Sequence, residues 1–489
     1  MTTAASRIPL VSAISGARVL CVGDIMLDRY VSGEVERISP EAPVPVLAIR
    51  SETEMPGGVG NVARNLSGLG AQVTLIASVG DDAAGKTLAA GIDALAKAKA
   101  ALVVDKKRPT ALKTRYVAGN QQIMRADREV VGAFDAKVGA AIVKAAKKAL
   151  AKHDALVLSD YGKGVLADGR AAELIKAARA AKKPVIVDPK GSDYSIYAGA
   201  DLVTPNRKEL AEASGCKTAT IQDATDAAAA LRKSCKFGAV LATLSGDGMA
   251  LVTAKRELHV AAEAREVFDV SGAGDTVVAT VAAALAAGGS LEDAVRLANT
   301  AAGIVVGKVG TAAVYVAELV AALHHQEISR AEAKVMTLTE ARDRVQVWRR
   351  QGLKIGFTNG CFDLLHPGHV SLLAQTKAAC DRLIVGLNSD TSVVRLKGAD
   401  RPVQGEAGRA TVLASLASVD LVVVFEEDTP LQLIGALKPD VLVKGADYTK
   451  ATVVGAKEVE SWGGRVMLAD LKPGHSTTAT IRRLKGNGG

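Results

Sequence analysis

Short aliphatic runs recur along this 489-residue chain, and each is followed by a longer Ala-rich stretch with helical spacing. Such alternation is typical of βα units, whose strands pair into a largely parallel sheet. Aromatic residues make up only 3% of the chain, so Ala, Val, Leu and Ile must form the cores, as they do in sheets of this kind. The pattern therefore predicts an α/β fold.

The alternation is interrupted once, from about residue 324 to residue 351, where the chain is highly charged and has no strand signal. A length of 489 residues also favours more than one domain. We predict a first α/β domain over 1–328, a linker and lead-in helix over 329–353, and a second α/β domain over 354–489. The predicted strands are Arg18–Gly23, Val73–Val79, Ala155–Ser159, Pro184–Asp188 and Leu202–Thr204, a hairpin within Ala239–Val252, then Lys354–Phe357, Leu383–Leu387, Leu421–Phe425, Val441–Val443 and Arg465–Leu468.

The net charge of +9 suits anionic partners. No basic run is interleaved with aromatic residues, so we expect no nucleic-acid partner and assign the cations to phosphorylated small molecules. No apolar run is long enough to span a membrane, and Met1–Leu10 does not resemble a targeting segment. The five cysteines are scattered, which favours free thiols in a reducing compartment, and we expect a cytoplasmic protein without a membrane partner.

A Gly-rich stretch, Asp269-Val270-Ser271-Gly272-Ala273-Gly274-Asp275-Thr276, precedes an unbroken apolar helix. Glycines let the backbone approach a ligand closely, and free N–H groups at a helix start favour anions. An Asp there would repel a phosphate, but it suits a base that removes a proton from a substrate hydroxyl. We predict Asp275 as that base, although the motif alone would first be interpreted as an Asp capping a Gly-rich turn.

Two further motifs accompany it. Gly57, Gly58 and Asn61 open a helical pattern, and Asp24 ends the first predicted strand, with Asp28 one turn on. Such residues suit recognition of sugar hydroxyls, although each motif alone is also typical of an ordinary turn or cap. Asn206-Arg207-Lys208-Glu209 follows a strand and opens a helix, where Asn206 and Glu209 can orient Mg²⁺-bound water around a triphosphate.

This set of motifs resembles the ribokinase-like carbohydrate kinases, over roughly residues 15–325. The resemblance implies a three-layer αβα domain with a small β lid, to which Gly33–Arg50 and Lys113–Arg125 would contribute. It implies Asp275 as catalytic base, an anion hole at Gly272, Ala273 and Gly274, and ATP with Mg²⁺ at 206–209. Asp24, Asp28, Gly57, Gly58 and Asn61 would bind the sugar. Many such kinases bind a monovalent cation such as K⁺, for which Asp269 and Ser271 are candidates, and a dimer through the lid is expected.

After 354, the stretch from Thr358 to His369 leaves a strand and enters a helix, with His366 and His369 three residues apart. Two imidazoles at a helix start can stabilise charge that builds on an α-phosphate during in-line attack. A zinc site is an alternative that needs further ligands, and the nearest downstream histidine is His475. A structural role for both histidines is the other alternative.

The His-x-Gly-His motif with Thr358-Asn359-Gly360-Cys361-Phe362-Asp363 before it resembles the cytidylyltransferase-like nucleotidyltransferases, whose domain is Rossmann-like α/β. The resemblance implies catalytic roles for His366, His369 and Lys397. The nucleotide-binding residues that it implies are Thr358, Asn359, Gly360, Phe362, Lys444, Ser476, Thr477 and Thr478. It implies no metal bound directly by protein, only Mg²⁺ carried by ATP phosphates, with a water-mediated contact near Glu209 in the kinase half.

Taken together, the halves resemble the bifunctional enzymes of ADP-heptose synthesis. The strings that fit this resemblance are Gly23–Tyr30, Arg37–Val46, Ser159–Gly164 and Leu442–Tyr448. That resemblance implies a kinase that phosphorylates O1 of D-glycero-D-manno-heptose 7-phosphate, a separate phosphatase, and transfer of AMP from ATP to heptose 1-phosphate, supplying the lipopolysaccharide core. A pentose kinase fused to a cytidylyltransferase, and a non-enzymatic carbohydrate-binding protein, are the alternatives. The chain departs from the expected pattern at His475 and Ala479, which flank the Ser-Thr-Thr element, and in the Gly-rich loop Gly405–Gly408. A 7-phosphate requires a fixed cation, for which Lys163, Lys190, Arg64 and Arg115 are candidates.

Overall fold

The computed structural model describes residues 7–119, 121–132, 134–263, 267–308, 310–446 and 448–470. The chain divides into two compact units, residues 1–323 and 324–489. Helix Val316–Glu332 contains the point of division. Each unit has its own sheet and its own hydrophobic cores, so each is described separately.

The strands of the first unit form two sheets. In chain order they are β1 (Arg18–Gly23), β2 (Ile25–Ile38), β3 (Pro45–Gly58), β4 (Gln72–Gly80), β5 (Ala98–Asp105), β6 (Leu112–Ala118), β7 (Gln121–Arg128), β8 (Ala155–Ser159), β9 (Val185–Asp188), β10 (Leu202–Val203), β11 (Ala239–Thr243), β12 (Met249–Thr253) and β13 (Glu257–Val260). The helices are α1 (Ile8–Ala13), α2 (Val59–Gly68), α3 (Ala83–Asp93), α4 (Ala136–Leu150), α5 (Arg170–Ala180), α6 (Arg207–Ser214), α7 (Ile221–Ser234), α8 (Ala273–Ala286), α9 (Leu291–Val305) and α10 (Val316–Glu332).

The main sheet has the order β13-β12-β11-β10-β9-β8-β1-β4-β5 and is parallel from β11 to β5. Alternate residues of β1 enter different cores: Val19 and Cys21 pack with α2, α8 and α9, while Leu20 and Val22 pack with α4, α5 and α7. Because side chains alternate across a strand, helices cover both faces. The predicted three-layer αβα arrangement is therefore confirmed.

The predicted strands of this unit are confirmed to within a residue or two, and β11 and β12 form the predicted antiparallel hairpin. Edge strand β5 has no counterpart among the predicted strands, although its sequence, AKAALVVD, contains a short aliphatic run. The predicted buried helix after the Gly-rich motif is α8, in which the residues from Asp275 to Ala284 are buried.

A second, four-stranded sheet of order β3-β2-β6-β7 forms the lid. The predicted segments Gly33–Arg50 and Lys113–Arg125 both lie in it, but β2 and β3 each run for 14 residues and return to the main sheet at Ile25 and Gly58. The lid strands are partly or fully exposed towards their distal ends.

The second unit contains α11 (Leu338–Arg350), α12 (Pro367–Ala378), α13 (Asp390–Lys397), α14 (Glu406–Ala414), α15 (Leu431–Leu437) and α16 (Ala456–Ser461). Its strands are β14 (Ile355–Gly360), β15 (Arg382–Asn388), β16 (Leu421–Phe425), β17 (Val441–Gly445) and β18 (Arg465–Ala469). They form one parallel sheet of order β16-β15-β14-β17-β18, as a Rossmann-like domain does. All five predicted strands are confirmed. In the described part of the chain, no helix is both long and apolar enough to cross a membrane.

Candidate active sites

The first candidate site lies where the strand order of the main sheet reverses. β4 and β5 lie on one side of β1 in the sheet, whereas β8, β9 and β10 follow one another on its other side. Gly23 at the end of β1 pairs with Ser159 at the end of β8, so the residues that follow these two strands meet. Ligands of open parallel sheets bind at such a point, beyond the carboxyl ends of the strands.

Asp275 lies buried in the first turn of α8, and both of its carboxylate oxygens accept hydrogen bonds. The amide of Asn61 donates to Oδ2 at 2.8 Å, and the hydroxyl of Tyr161 donates to Oδ1 at 2.7 Å. Burial raises the pKa of Asp275 to about 6; the two hydrogen bonds oppose this rise and nearby Asp28 adds to it. The group can therefore both lose and take up a proton near neutral pH.

Asn65 connects Asn61 with α8, since Nδ2 of Asn65 contacts both the main-chain carbonyl of Asn61 and, at 3.5 Å, the side-chain Oδ1 of Asn61. Oδ1 of Asn65 accepts hydrogen bonds from the hydroxyl of Thr276 at 3.0 Å and from the amide of Val314 at 3.1 Å, so its Nδ2 is the donor to the Asn61 carbonyl at 3.0 Å. Because Asn61 and Asn65 are fully buried on α2 and Thr276 lies on α8, this network locks the two helices together beside Asp275.

Asp24 is held by the loop that follows β8. Its Oδ2 accepts from the amides of Tyr161 at 2.9 Å and Lys163 at 2.8 Å, and its Oδ1 accepts from the amide of Val165 at 3.0 Å. Burial and the charge of Asp160 raise the pKa of Asp24 to about 6, against the effect of these three bonds. A carboxylate has about four acceptor positions, so one remains for a ligand hydroxyl.

Asp28, Gly57 and Gly58 lie at the junction of the lid and the main sheet. A Cβ on Gly57 would lie 2.1 Å from Oδ2 of Asp28, so only glycine allows this approach. Gly58 has φ +60° and caps α2, the helix that carries Asn61. Asp28 is ion-paired with Arg115, whose guanidinium also lies over the ring of Tyr30 at 5.1 Å. The structure thus brings all five predicted sugar-binding residues close to Asp275.

Gly272 caps α8 in the left-handed region, with φ +79°, and a Cβ there would lie 2.6 Å from Nδ2 of Asn61. A Cβ on Gly274, in contrast, would meet nothing within 4 Å, so this side of the helix start is open. The amide of Ala273 donates to the carbonyl of Val270 at 3.2 Å. The predicted anion hole therefore has fewer available N–H groups than its three residues suggest.

The segment from Asn206 to Glu209 forms a complete capping box at the start of α6. The amide of Glu209 donates to the side chain of Asn206 at 2.9 Å, and the amide of Asn206 donates to Glu209 at 3.1 Å. Glu209 also pairs with Lys190 at 2.8 Å. Arg207 bonds to Asp247 and to carbonyls after α6, while Lys208 is exposed beside Glu212.

Asp188, at the end of β9, was not singled out from the sequence. Burial raises its pKa well above the usual range, and Asp275, Glu209 and Asp160 raise it further, while Lys190 lowers it. Asp188 therefore interacts electrostatically both with Glu209 of the 206–209 segment and with Asp275.

Asp269 and Ser271, the candidate cation ligands, lie together before α8. The amide of Ser271 donates to Asp269 Oδ1 at 2.8 Å, and the amide of Gly310 donates to Oδ2 at 3.1 Å. Both oxygens retain further acceptor capacity, so the pair fits a cation coordinated by oxygen atoms.

The second candidate site lies at the equivalent reversal of the C-terminal sheet, between β14 and β17. The ammonium of Lys444, near the end of β17, donates to the carbonyl of Asn359 at the end of β14 at 3.0 Å, and lies 5.4 Å from the centre of the Tyr448 ring. Oγ1 of Thr358 and Oδ1 of Asn359 are buried without a partner among the described residues. Buried polar atoms of this kind are usually satisfied, so they favour a polar ligand here.

His366 and His369 stand at the start of α12. His366 is the cap, and the amide of His369 donates to its Nδ1 at 3.4 Å. The two rings stack with centres 3.8 Å apart, and Phe362 meets His369 edge-on at 5.0 Å. Burial and the neighbouring His366 lower the pKa of His369 to about 4, against a backbone hydrogen bond with Leu364, so the imidazole is neutral at physiological pH.

Lys397 ends α13 in an exposed position. Burial raises the pKa of the Cys361 thiol, and the charge of Lys397 opposes that rise. Asp363, in the predicted motif, has a structural role in the described chain. It pairs with Arg401 and accepts from the amides of Val403 at 2.7 Å and Gln404 at 3.1 Å. It therefore fixes the segment before Gly405–Gly408. The expectation of a loop at Gly405–Gly408 is wrong, because Gly405 is the N-cap of α14 and the next three residues form its first turn.

Ser476, Thr477 and Thr478, with His475 and Ala479, lie outside the described residues. Within the described ranges, no group of three or more His, Cys, Asp or Glu side chains is placed to hold a metal ion.

Comparison with known proteins agrees with this division. Residues 17–317 match the pfkB family carbohydrate kinases and residues 357–483 match the cytidylyltransferase-like family. The fold resembles phosphofructokinase-2 from Escherichia coli in complex with potassium (TM-score 0.54, 23% identity, 64% of this chain and 99% of that one). It also resembles Arabidopsis thaliana ribokinase complexed with ribose and ATP (TM-score 0.50, 21% identity, 63% and 99%). The sheets and sites thus define a carbohydrate kinase joined to a nucleotidyltransferase on one chain.

Whole-length relatives carry both parts. The bifunctional protein HldE of Paramagnetospirillum magneticum is 58% identical over 488 residues, which cover 100% of both chains. HldE of Acidiphilium cryptum is 58% identical over 97% of this chain and 98% of its own. The chain belongs to the family of bifunctional HldE proteins.

Proposed function

We propose how named residues carry out the two reactions of this chain, with residues 1–328 as the kinase, 329–353 as the link and 354–489 as the nucleotidyltransferase. The protein is a bifunctional enzyme of ADP-heptose biosynthesis. Its kinase phosphorylates O1 of D-glycero-β-D-manno-heptose 7-phosphate with ATP, and its nucleotidyltransferase joins heptose 1-phosphate to the AMP part of ATP and releases pyrophosphate. The product supplies the lipopolysaccharide core.

In the kinase reaction, Asp275 takes the proton of the O1 hydroxyl while that oxygen attacks the γ-phosphorus of ATP and ADP leaves. The burial of Asp275 and its fixed hydrogen bonds are the observation that carries this assignment. The open backbone at Gly274 and the N-terminus of α8 stabilise the phosphoryl group during transfer. Asp24, Asp28, Gly57, Gly58 and Asn61 hold the sugar so that O1 faces Asp275.

ATP enters this site as its Mg²⁺ complex. Glu209 is the acidic group of the 206–209 segment, and its contacts with Lys190 and the capping box leave acceptor positions for metal-bound water. Mg²⁺ supplies charge neutralisation on the phosphates when it is bound. Asp269 and Ser271 bind K⁺ beside the anion hole, an assignment supported by their oxygen atoms and by a fold relative solved in complex with potassium.

In the second reaction, the phosphate of heptose 1-phosphate attacks the α-phosphorus of ATP, and pyrophosphate leaves. His366 and His369 contact the phosphates and stabilise the charge that develops there, with His369 acting as a neutral hydrogen-bonding group. Lys397 and Lys444 supply positive charge, and Thr358, Asn359, Gly360 and Phe362 line the nucleotide pocket. Ser476, Thr477 and Thr478 are assigned to the β- and γ-phosphates from the sequence motif alone.

We predict that the two sites can be disabled separately. Asp275→Asn should reduce sugar phosphorylation at least about 100-fold, because it removes the base, and leave AMP transfer to supplied heptose 1-phosphate unchanged. His369→Ala should reduce AMP transfer about 100-fold or more and leave phosphorylation unchanged. ADP and pyrophosphate release, measured in parallel, distinguish the two reactions.

A folded variant in which either substitution silenced both reactions would contradict the assignment of two separate sites. Running the transferase assay with ATP and with CTP tests the nucleotide, and activity with CTP alone would contradict adenylylation. Two features stay predictions of the sequence: a homodimer formed through the lid, and a cytoplasmic location.

A further inference from the structure

Tyr161 connects the two carboxylates at the reversal point of the kinase sheet. Its backbone amide donates to Oδ2 of Asp24 at 2.9 Å, and its hydroxyl donates to Oδ1 of Asp275 at 2.7 Å. The loop that carries it is further tied to Asp24 through the amides of Lys163 and Val165. The position of the hydroxyl is thus set by three backbone hydrogen bonds to one buried aspartate.

The hydroxyl of Tyr161 can act on Asp275 only as a donor. Burial raises the pKa of Tyr161 well above its usual range, and the negative charges of Asp275, Asp188 and Asp28 raise it further, so the phenol keeps its proton. Asn61 donates to the other oxygen of Asp275. A donor to each oxygen favours the ionised carboxylate and fixes the plane of the group.

Two acidic groups work in the opposite direction. Asp28 raises the pKa of Asp275, although it is itself ion-paired with Arg115. Asp188 faces both Tyr161 and Asp275 from the end of β9, with Lys190 beside it. In this buried acidic environment, losing one of two donors shifts the balance towards the protonated form of Asp275.

We infer that Tyr161 is a positioning residue of the kinase, which holds Asp275 ionised and oriented towards the sugar hydroxyl by donating to its Oδ1 while its backbone is anchored on Asp24. This inference rests on the proposed role of Asp275 as the base. Tyr161 takes no proton from the substrate and keeps its own proton throughout the reaction. It acts only through the hydrogen bond to the carboxylate.

The test is a pH profile of the kinase reaction for Tyr161→Phe, from about pH 5 to 9, with heptose 7-phosphate and Mg²⁺-ATP on the full-length protein. The acid limb of the log kcat profile should move to higher pH by about one unit, because losing a donor to the ionised carboxylate raises the pKa of Asp275. The rate should fall about tenfold on the acid side and much less on the alkaline side. The substrate phosphate also titrates near pH 6, but identically with every variant, so the difference between profiles belongs to the enzyme.

Tyr194→Phe is the matched control. Tyr194 is buried in the same unit, and its hydroxyl has no hydrogen-bond partner among the described residues, so the kinase profile should not move. Calorimetry of each variant shows whether the first unit is folded, and AMP transfer assayed with supplied heptose 1-phosphate gives an internal standard for enzyme concentration.

An unmoved acid limb in Tyr161→Phe, whether the rate is normal or lowered equally at every pH, would overturn the inference. So would an equal shift in the Tyr194→Phe control. The proposed function fails by a different result, the retention of kinase activity in Asp275→Asn, so the two failures can be told apart. Should calorimetry show the first unit of Tyr161→Phe unfolded, Tyr161→Met removes the same donor: an acid limb moved to higher pH supports the inference, and a limb at the parent's position overturns it.

Discussion

At the scale of single residues, the contacts separate the four cations that are candidates for binding the 7-phosphate. Three of them are already ion-paired: Lys163 with Glu129 at 2.6 Å, Lys190 with Glu209 at 2.8 Å, and Arg115 with Asp28. Arg64 has no carboxylate partner among the described residues and donates to the carbonyl of Thr311 at 2.9 Å. Burial lowers the pKa of Arg64, because nearby negative groups do not fully offset the loss of solvation of its guanidinium.

We predict that Arg64→Met raises KM for heptose 7-phosphate at least about tenfold, because a charge-assisted contact with the phosphate is lost, and leaves KM for ATP nearly unchanged. Steady-state kinetics with each substrate varied in turn measure both constants. Arg179→Met is a matched control, since Arg179 also lies on a helix and donates to a carbonyl, that of Gly199. A rise confined to KM for ATP would contradict the prediction, and so would an equal loss with heptose that lacks the 7-phosphate.

The sequence alone singled out the candidate site residues that stand within short, recognisable motifs. Asp275 could be singled out because its Gly-rich motif stands in one chain with the motifs of Asn61 and of Asn206 to Glu209, and it lies beside Asn61 in the structure. Tyr161 was not predicted as a site residue, because the string Ser159–Gly164 that contains it supports only the family resemblance and assigns no role to the phenol. Its neighbours, Asp160 and Gly162, mark only the end of a strand and a turn.

At the scale of elements, the aliphatic runs predicted the buried strands well, since a strand covered on both faces must be apolar throughout. They predicted less of the lid and the edge, where strands such as β3 and β5 are half-exposed and their hydrogen bonds depend on neighbours distant in sequence. The spacing of Asn206 and Glu209 fits both a Mg²⁺ site and a capping box. The structure has the capping box, which is the interaction that needs no ligand.

The start of α8 offers a test at this scale. Gly272→Ala should lower the stability of the kinase unit by about 1–3 kcal/mol and abolish phosphorylation, because the new Cβ meets Asn61 at 2.6 Å in a left-handed conformation. Gly288→Ala, just beyond the other end of the same helix, separates the two causes: φ is +84° there, but nothing lies within 4 Å of the Cβ. It should cost about 1 kcal/mol and retain activity.

Denaturant unfolding monitored by circular dichroism and the kinase assay measure both effects. Full kinase activity in Gly272→Ala, or loss of activity in Gly288→Ala equal to that in Gly272→Ala, would contradict the proposed coupling between the helix start and Asn61.

At the scale of the whole molecule, two reactions on one sugar are carried by two units with separate cores. Both sites use a helix start at the point where a sheet reverses, α8 in one unit and α12 in the other. The intermediate that leaves the kinase has two phosphates and the transferase substrate has one, so a hydrolysis must intervene. A substitution in either unit should therefore affect one chemical step and one folding core.

The two tryptophans give a way to measure this independence. Trp348 packs in the core of the second unit, and the indole of Trp462 donates to the carbonyl of Pro439 at 3.1 Å, whereas residues 1–323 contain no tryptophan. Tryptophan fluorescence should thus report thermal unfolding of the second unit alone. Calorimetry of Gly272→Ala should show one transition lowered by a few degrees, about 2 °C per kcal/mol for a unit of this size, while the fluorescence midpoint stays within error of the parent. An equal shift of the fluorescence midpoint would mean that the two units unfold as one, and the loss of kinase activity in that variant could then no longer be assigned to the first site.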